Sequence, residues 1–179
     1  MRNFRGMANP LCSSILAKVD EQIERLNHLT DVLPPDRVDW APTGLGLDGW
    51  TTGRVLGHLL DCLAGFCAVL AAAKPERAAI FSGLRSMPVN HTCKISEARE
   101  RMAVYRRHID EGFEFLADTD LSRLVPTVFV AGGETVLTLL LGNLEHLINH
   151  KHQLFTYLKL MGAEVGTRDL YHFRNVSKG

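Results

Sequence analysis

His146 and His150 stand four residues apart, and His58 lies well ahead of them in the chain. On an α-helix, residues i and i+4 share a face with Cβ atoms about 5–6 Å apart, so two imidazoles so spaced can reach one cation. The run around them, Asn143-Leu144-Glu145-His146-Leu147-Ile148-Asn149-His150-Lys151-His152-Gln153-Leu154, contains neither Pro nor Gly and reads as helix throughout. Two histidines from one helix and a third from another make the three-protein-ligand set that leaves a coordination position open for chemistry. Eight histidines scattered at random over 179 residues would give about 0.3 accidental i,i+4 pairs, so the pair gains its weight from context.

That context is a polar stripe. Leu139, Asn143, His146, His150, Gln153 and Tyr157 share one face of the helix, and an ordinary core face would not be polar at its centre. His58 has Asp61 and Cys62 three and four residues on, along its own face. Asp61, Asn143 and Gln153 are therefore candidates to orient the ligands, and Asp61 is also a candidate base. A Cys62 thiolate would close the shell and make the site structural; as a small apolar side chain it would belong to the core. His152 lies about 200° round the helix from His150 and is read as exposed or at a subunit contact, not as a fourth ligand. His28, His91, His108 and His172 have no supporting neighbours in sequence and are read as surface. A metalloprotease is excluded, because Leu147 occupies the place of the glutamate in H-E-x-x-H. No P-loop, nucleophile elbow or Gly-rich dinucleotide loop is present.

Four helices would position these residues. Leu11, Ile15, Val19, Ile23, Leu26, Leu29 and Leu33 recur at three- and four-residue steps, and Pro34-Pro35 ends that helix. Residues 36–49, rich in Gly and Pro and containing Trp40, read as loop. Thr51 or Thr52 caps a second helix to about Ala73, stopped by Lys74-Pro75. Residues 75–94 read as loop, with a turn of helix around Arg77–Phe81. Ser96 is expected to cap a third helix to about Ala117, carrying Ala98, Met102, Tyr105, Ile109, Phe113 and Leu116. The β-branched run 124–130 followed by Gly132-Gly133 suggests a short β-hairpin. Thr135 then caps the longest helix, which ends at Met161 before Gly162. The fold class expected is all-α, a four-helix bundle with long connections, and bundles build metal sites from facing helices.

Length suits one domain over residues 1–179. Lys+Arg and Asp+Glu balance at 20 each, which removes the electrostatic argument for nucleic acid or an anionic membrane as partner. Residues 55–73 are long and apolar enough to span a bilayer, but His58, Asp61 and two glycines would be costly there, so a buried bundle helix is the better account. Four cysteines without CxxC spacing, and no visible signal peptide, lead us to expect reduced thiols in a cytoplasm.

Two segments carry a family resemblance. Trp50-Thr51-Thr52-Gly53-Arg54-Val55-Leu56-Gly57-His58-Leu59-Leu60-Asp61 resembles the start of helix two, with its first metal histidine, in the DinB/YfiT superfamily of metal-binding four-helix bundles. The segment His146 to Leu154, followed by Tyr157-Leu158 and Gly162, resembles that family's H-x-x-x-H-R-G-Q-L…Y-L…G helix. Lys151 stands in place of the family's arginine and His152 in place of its glycine. The resemblance, over about residues 11–162, implies His58, His146 and His150 as metal ligands, nickel or zinc as the ion, and a homodimer. It also implies an activity using a low-molecular-weight thiol, as a transferase or hydrolase on a small-molecule substrate. The competing expectation is a non-catalytic metal- or small-ligand-binding bundle with a structural ion.

Overall fold

The computed structural model describes residues 9–44, 49–127 and 130–171. Helix α1 (Pro10–Asp31), α2 (Thr52–Ala73), α3 (Ile95–Glu114) and α4 (Val136–Leu160) pack as a bundle. Strands β1 (Leu124–Val125) and β2 (Glu134–Thr135) pair antiparallel just before α4, with Leu124 opposite Thr135, and α5 (Thr167–Leu170) closes the described chain against α1. The hairpin and the bundle match the fold class expected from sequence.

Helix α2 is the hub. Its apolar residues point round most of the cylinder, and Val55, Leu56, Leu59, Leu60, Leu63 and Phe66 are all at most 1% exposed. Such a helix must be covered on several sides, and α2 packs mainly on α4 and α3. It satisfies the length and hydropathy of a membrane span, and most of that span is buried by the rest of the bundle.

Local chemistry sets the helix ends. Thr51 Oγ1 accepts the Arg54 N–H at 3.1 Å and caps α2, and Thr135 Oγ1 accepts the Thr138 N–H at 3.1 Å and caps α4. Gly162 follows α4 at φ +82°, a backbone conformation that side chains disfavour. Helix α4 has 25 residues and runs about 37 Å.

Three expectations need correction. Ser96 lies inside α3, whose N-cap is Lys94 without a side-chain bond. The extended Lys94 backbone (ψ 158°) starts the helix two residues earlier than a serine cap would. Residues 75–86 form a long 3₁₀ stretch, not a loop with one turn, seated on α2 through the buried Phe81. Leu11, placed on the apolar stripe, is 56% exposed in the first turn of α1, where its N–H and that of Cys12 donate to the Asp118 carboxylate.

The connection from α1 to α2 is anchored at both ends of its described part. The Thr52 and Gly53 N–H groups donate to Trp40 O at 2.8 Å and Val38 O at 2.7 Å. The Trp40 ring meets the buried Tyr157 ring edge-on, with centroids 5.4 Å apart. The start of α2, which carries His58, is thereby tied to α4 about two turns beyond His150.

Candidate metal centre

His58, half-buried in the second turn of α2, faces His146 and His150 across the α2–α4 seam. One ring nitrogen from each lies within 4.8 Å of the other two, and the Nε2 atoms of His58 and His146 are 3.0 Å apart. The three rings meet edge-to-face, with centroids 4.3 to 4.9 Å apart. Nitrogens bound tetrahedrally at about 2.0–2.1 Å from an ion sit about 3.3 Å apart, so this arrangement fits a common divalent cation with little movement. An all-imidazole donor set suits zinc, nickel, copper or iron.

The rings are held in ligand-like orientations. His150 Nδ1–H donates to Gln153 Oε1 at 2.8 Å, which turns Nε2 toward the centre, and Gln153 Nε2 donates to the Tyr157 hydroxyl at 3.3 Å. Asp61 Oδ2 stands 3.9 Å from His58 Nδ1 and accepts the Asn90 N–H at 2.9 Å. His58 Nδ1 and Asp61 Oδ1 are both buried without a hydrogen-bond partner among the described residues. A cation on the Nε2 side would make His58 a better donor toward that carboxylate, and this observation favours a metal. Asn143 does something else. Its Oδ1 would lie 2.6 Å from a Cβ at Gly65, so α2 and α4 approach closely there because residue 65 has no side chain.

Electrostatics keeps the lone pairs free. Burial first, then the neighbouring His150 and His146, push the His58 pKa down to about 4, and burial followed by His150 lowers that of His146. Neutral imidazoles are the form that binds metal. Two predictions arise here. Gln153→Ala should weaken metal binding about 10- to 100-fold, the usual cost of freeing a ligating histidine, measured by competition with a chelating indicator. Metal-free protein should lose stability as pH falls from about 6.5 toward 4, because the unfolded His58 takes a proton there that the folded one refuses. Thermal melts across that window check this, and His58→Gln should flatten the slope.

Trp50 was not singled out as a site residue from sequence, beyond its place in a motif. Its ring stacks on His150 at 5.8 Å and 16° and meets the His58 ring edge-on at 5.0 Å, while Arg54 lies over its other region at 5.6 Å. It walls one side of the centre against water. No local signal distinguishes it, since it precedes α2 and reaches the histidines only through the fold.

Cys62 is 3% exposed in the core and is not among the clustered ligand atoms; His152 is exposed and packs toward Phe155. The reading of His28, His91 and His108 as isolated surface groups is corrected. His28 Nε2 meets Asp169 Oδ1 at 2.7 Å, His91 Nε2 meets Glu97 Oε1 at 2.7 Å, and His108 Nδ1 is 3.3 Å from Glu111. All three are partly buried; the partner of His28 is remote in sequence, whereas His91 and His108 meet carboxylates six and three residues further on. His172 lies outside the described residues.

A family model described as the DinB superfamily matches residues 18–154. The fold is similar to the crystal structure of a DinB-like protein, YjoA, from Bacillus subtilis. The TM-score is 0.64 at 19% identity, over 85% of this chain and 94% of that one. Comparison with curated proteins finds no match.

Proposed function

The chain belongs to the DinB superfamily, and from that premise we propose that it is a metal-dependent enzyme with a three-histidine divalent centre. The observation that carries the reading is the convergence of His58, His146 and His150 with no fourth His, Cys, Asp or Glu ligand atom in the cluster, among the described residues. A cation held by three imidazoles keeps a position for substrate. Nickel or zinc is the ion proposed, on the donor set and the family resemblance.

The chemistry we propose is activation of a low-molecular-weight thiol for attack on a small electrophilic molecule, as a transferase or hydrolase. A bound divalent ion would lower the pKa of a thiol or water and stabilise the nucleophile. The chain's own residues do the rest. Gln153 fixes the His150 ring, Asp61 faces His58 Nδ1, and Trp50 with Arg54 closes one flank. A groove of about 500 Å³ runs along the α2–α4 seam past Gly65, Ala68, Gly142 and Asn143. The groove begins about two helical turns along α2 from His58 and about one turn before His146 on α4, so only a ligand long enough to span that distance would reach from it to the centre. Exposed Leu141 and Ile148, about two turns apart on one face of α4, are the apolar residues we assign to a homodimer contact.

A second reading, a metal-binding bundle without turnover, is favoured by one observation. Asp61, the carboxylate nearest the three histidines among the described residues, has one oxygen taken by the Asn90 N–H and stands on the Nδ1 side of His58, away from the Nε2 face where substrate would meet the ion. Turnover of an electrophile with the cell's low-molecular-weight thiol separates the two. The enzyme reading expects chelator to remove about a hundredfold or more of the rate and nickel or zinc to restore it. Metal-loaded protein that shows no thiol turnover gives the second reading.

A further inference from the structure

We propose that His91, Cys93 and Glu97 form a second cation site, selective for a thiophilic divalent ion such as zinc and separate from the three histidines. A ring nitrogen of His91, Cys93 Sγ and a Glu97 carboxylate oxygen lie within 4.8 Å of one another. Sulfur, imidazole and carboxylate are all ligands that zinc accepts, and one thiolate with one carboxylate balances the charge of a divalent ion. On binding, Cys93 Sγ–H gives its proton to solvent and the sulfur takes the metal.

The site is built before any ion arrives. Cys93 N–H donates to Gly53 O at 2.9 Å, Asn90 N–H donates to Asp61 at 2.9 Å, and Arg101 donates to Pro88 O at 2.7 Å. The loop is thus fixed to α2 on one side and α3 on the other. Glu97 sits in the first turn of α3, so the loop and the helix each present ligands. Cys93 is fully buried, whereas His91 and Glu97 keep 23% and 36% side-chain exposure, which leaves an approach from solvent. His91 Nδ1 is buried without a hydrogen-bond partner among the described residues, so the ring has an uncommitted nitrogen.

Arg101 is the competitor. Its NH1 group lies 3.2 Å from both His91 Nε2 and Glu97 Oε1. Its NH2 group is anchored on Pro88 O and the Tyr105 hydroxyl, so the guanidinium can keep its place when the longer NH1 contacts give way. A bound ion would clip α3 to the loop that covers the start of α2.

Cobalt(II) titration of the full, reduced chain tests this, because only a thiolate ligand gives sulfur-to-cobalt charge-transfer absorption in the near ultraviolet. The three-histidine cluster contains no sulfur, so the outcome is independent of that reading. We expect a band that saturates at one equivalent in His58→Ala, whose three-histidine centre is disabled, and by two equivalents in the unsubstituted chain, that is quenched by zinc, persists in Cys62→Ala, and is lost in Cys93→Ser. Glu97→Gln, which keeps the side chain's size and one oxygen that can accept from Arg101, should weaken cobalt binding at this band tenfold or more, and serves where Cys93→Ser fails to fold. No band at saturating cobalt, a band lost with Cys62→Ala instead, or unchanged affinity in Glu97→Gln overturns the proposal.

Discussion

Gly57→Ala should destabilise the protein by about 3 kcal/mol or more, lowering Tm by roughly 6–12 °C for a chain of this size. A Cβ at position 57 would lie 1.9 Å from the carbonyl oxygen of His91, a backbone atom with no side-chain freedom to withdraw. Either α2 or the loop carrying His91 and Cys93 has to move. Elsewhere in a helix the same substitution is favourable. Gly142 in α4 has nothing within 4 Å of its would-be Cβ, so Gly142→Ala should gain about 0.5–1 kcal/mol from helix propensity. Chemical denaturation of the two variants gives opposite signs if the loop is pressed on α2 as described. Equal, small effects would mean that it is not.

His150→Ala should reduce metal affinity about a thousandfold or more. Binding free energies of metal sites run to roughly 10–16 kcal/mol near neutral pH, and removing one of three donors forfeits on the order of a third of that. The loss should exceed that of Gln153→Ala, since Gln153 only holds the ring whose Nε2 faces the centre. His152→Ala is the internal control: His152 is exposed on another face and should leave affinity unchanged. A chelator-competition titration reads all three. If His152→Ala matched His150→Ala, the assignment of faces on α4 would be wrong.

Much of the frame was legible because punctuation and periodicity agree. Pro34-Pro35, Thr51, Lys74-Pro75, Thr135 and Gly162 each act through local backbone chemistry, and each stands at or within three residues of the helix end observed. The i,i+4 pair on α4 was legible for the same reason. That His58 meets it requires α2 to pack on α4, which the helix patterns leave as a condition, the family resemblance implies and the structure shows.

What was not legible depends on contacts between distant segments. His28 finds Asp169 across 141 residues of sequence, and Trp50 stacks on His150 across the bundle. The 3₁₀ stretch at 75–86 has weak periodicity and takes its form from burial of Phe81 against α2. Ser96 failed as a cap because serine's local preference is about 1 kcal/mol, which tertiary packing of the loop outweighs. The second cluster at His91, Cys93 and Glu97 carried a weak signal, three ligand types within seven residues, that reading each histidine singly passes over.

The central claim is that His58, His146 and His150 share one ion. Metal content per chain, by plasma mass spectrometry after loading with nickel or zinc and removal of excess, tests it most directly on the unsubstituted protein and on His58→Ala, His146→Ala and His150→Ala. The account predicts that each of the three variants loses the same single equivalent relative to the unsubstituted chain while remaining folded. Unchanged metal content in any one of them, or no metal in the unsubstituted protein, would contradict it and leave the three imidazoles as polar groups of the α2–α4 seam.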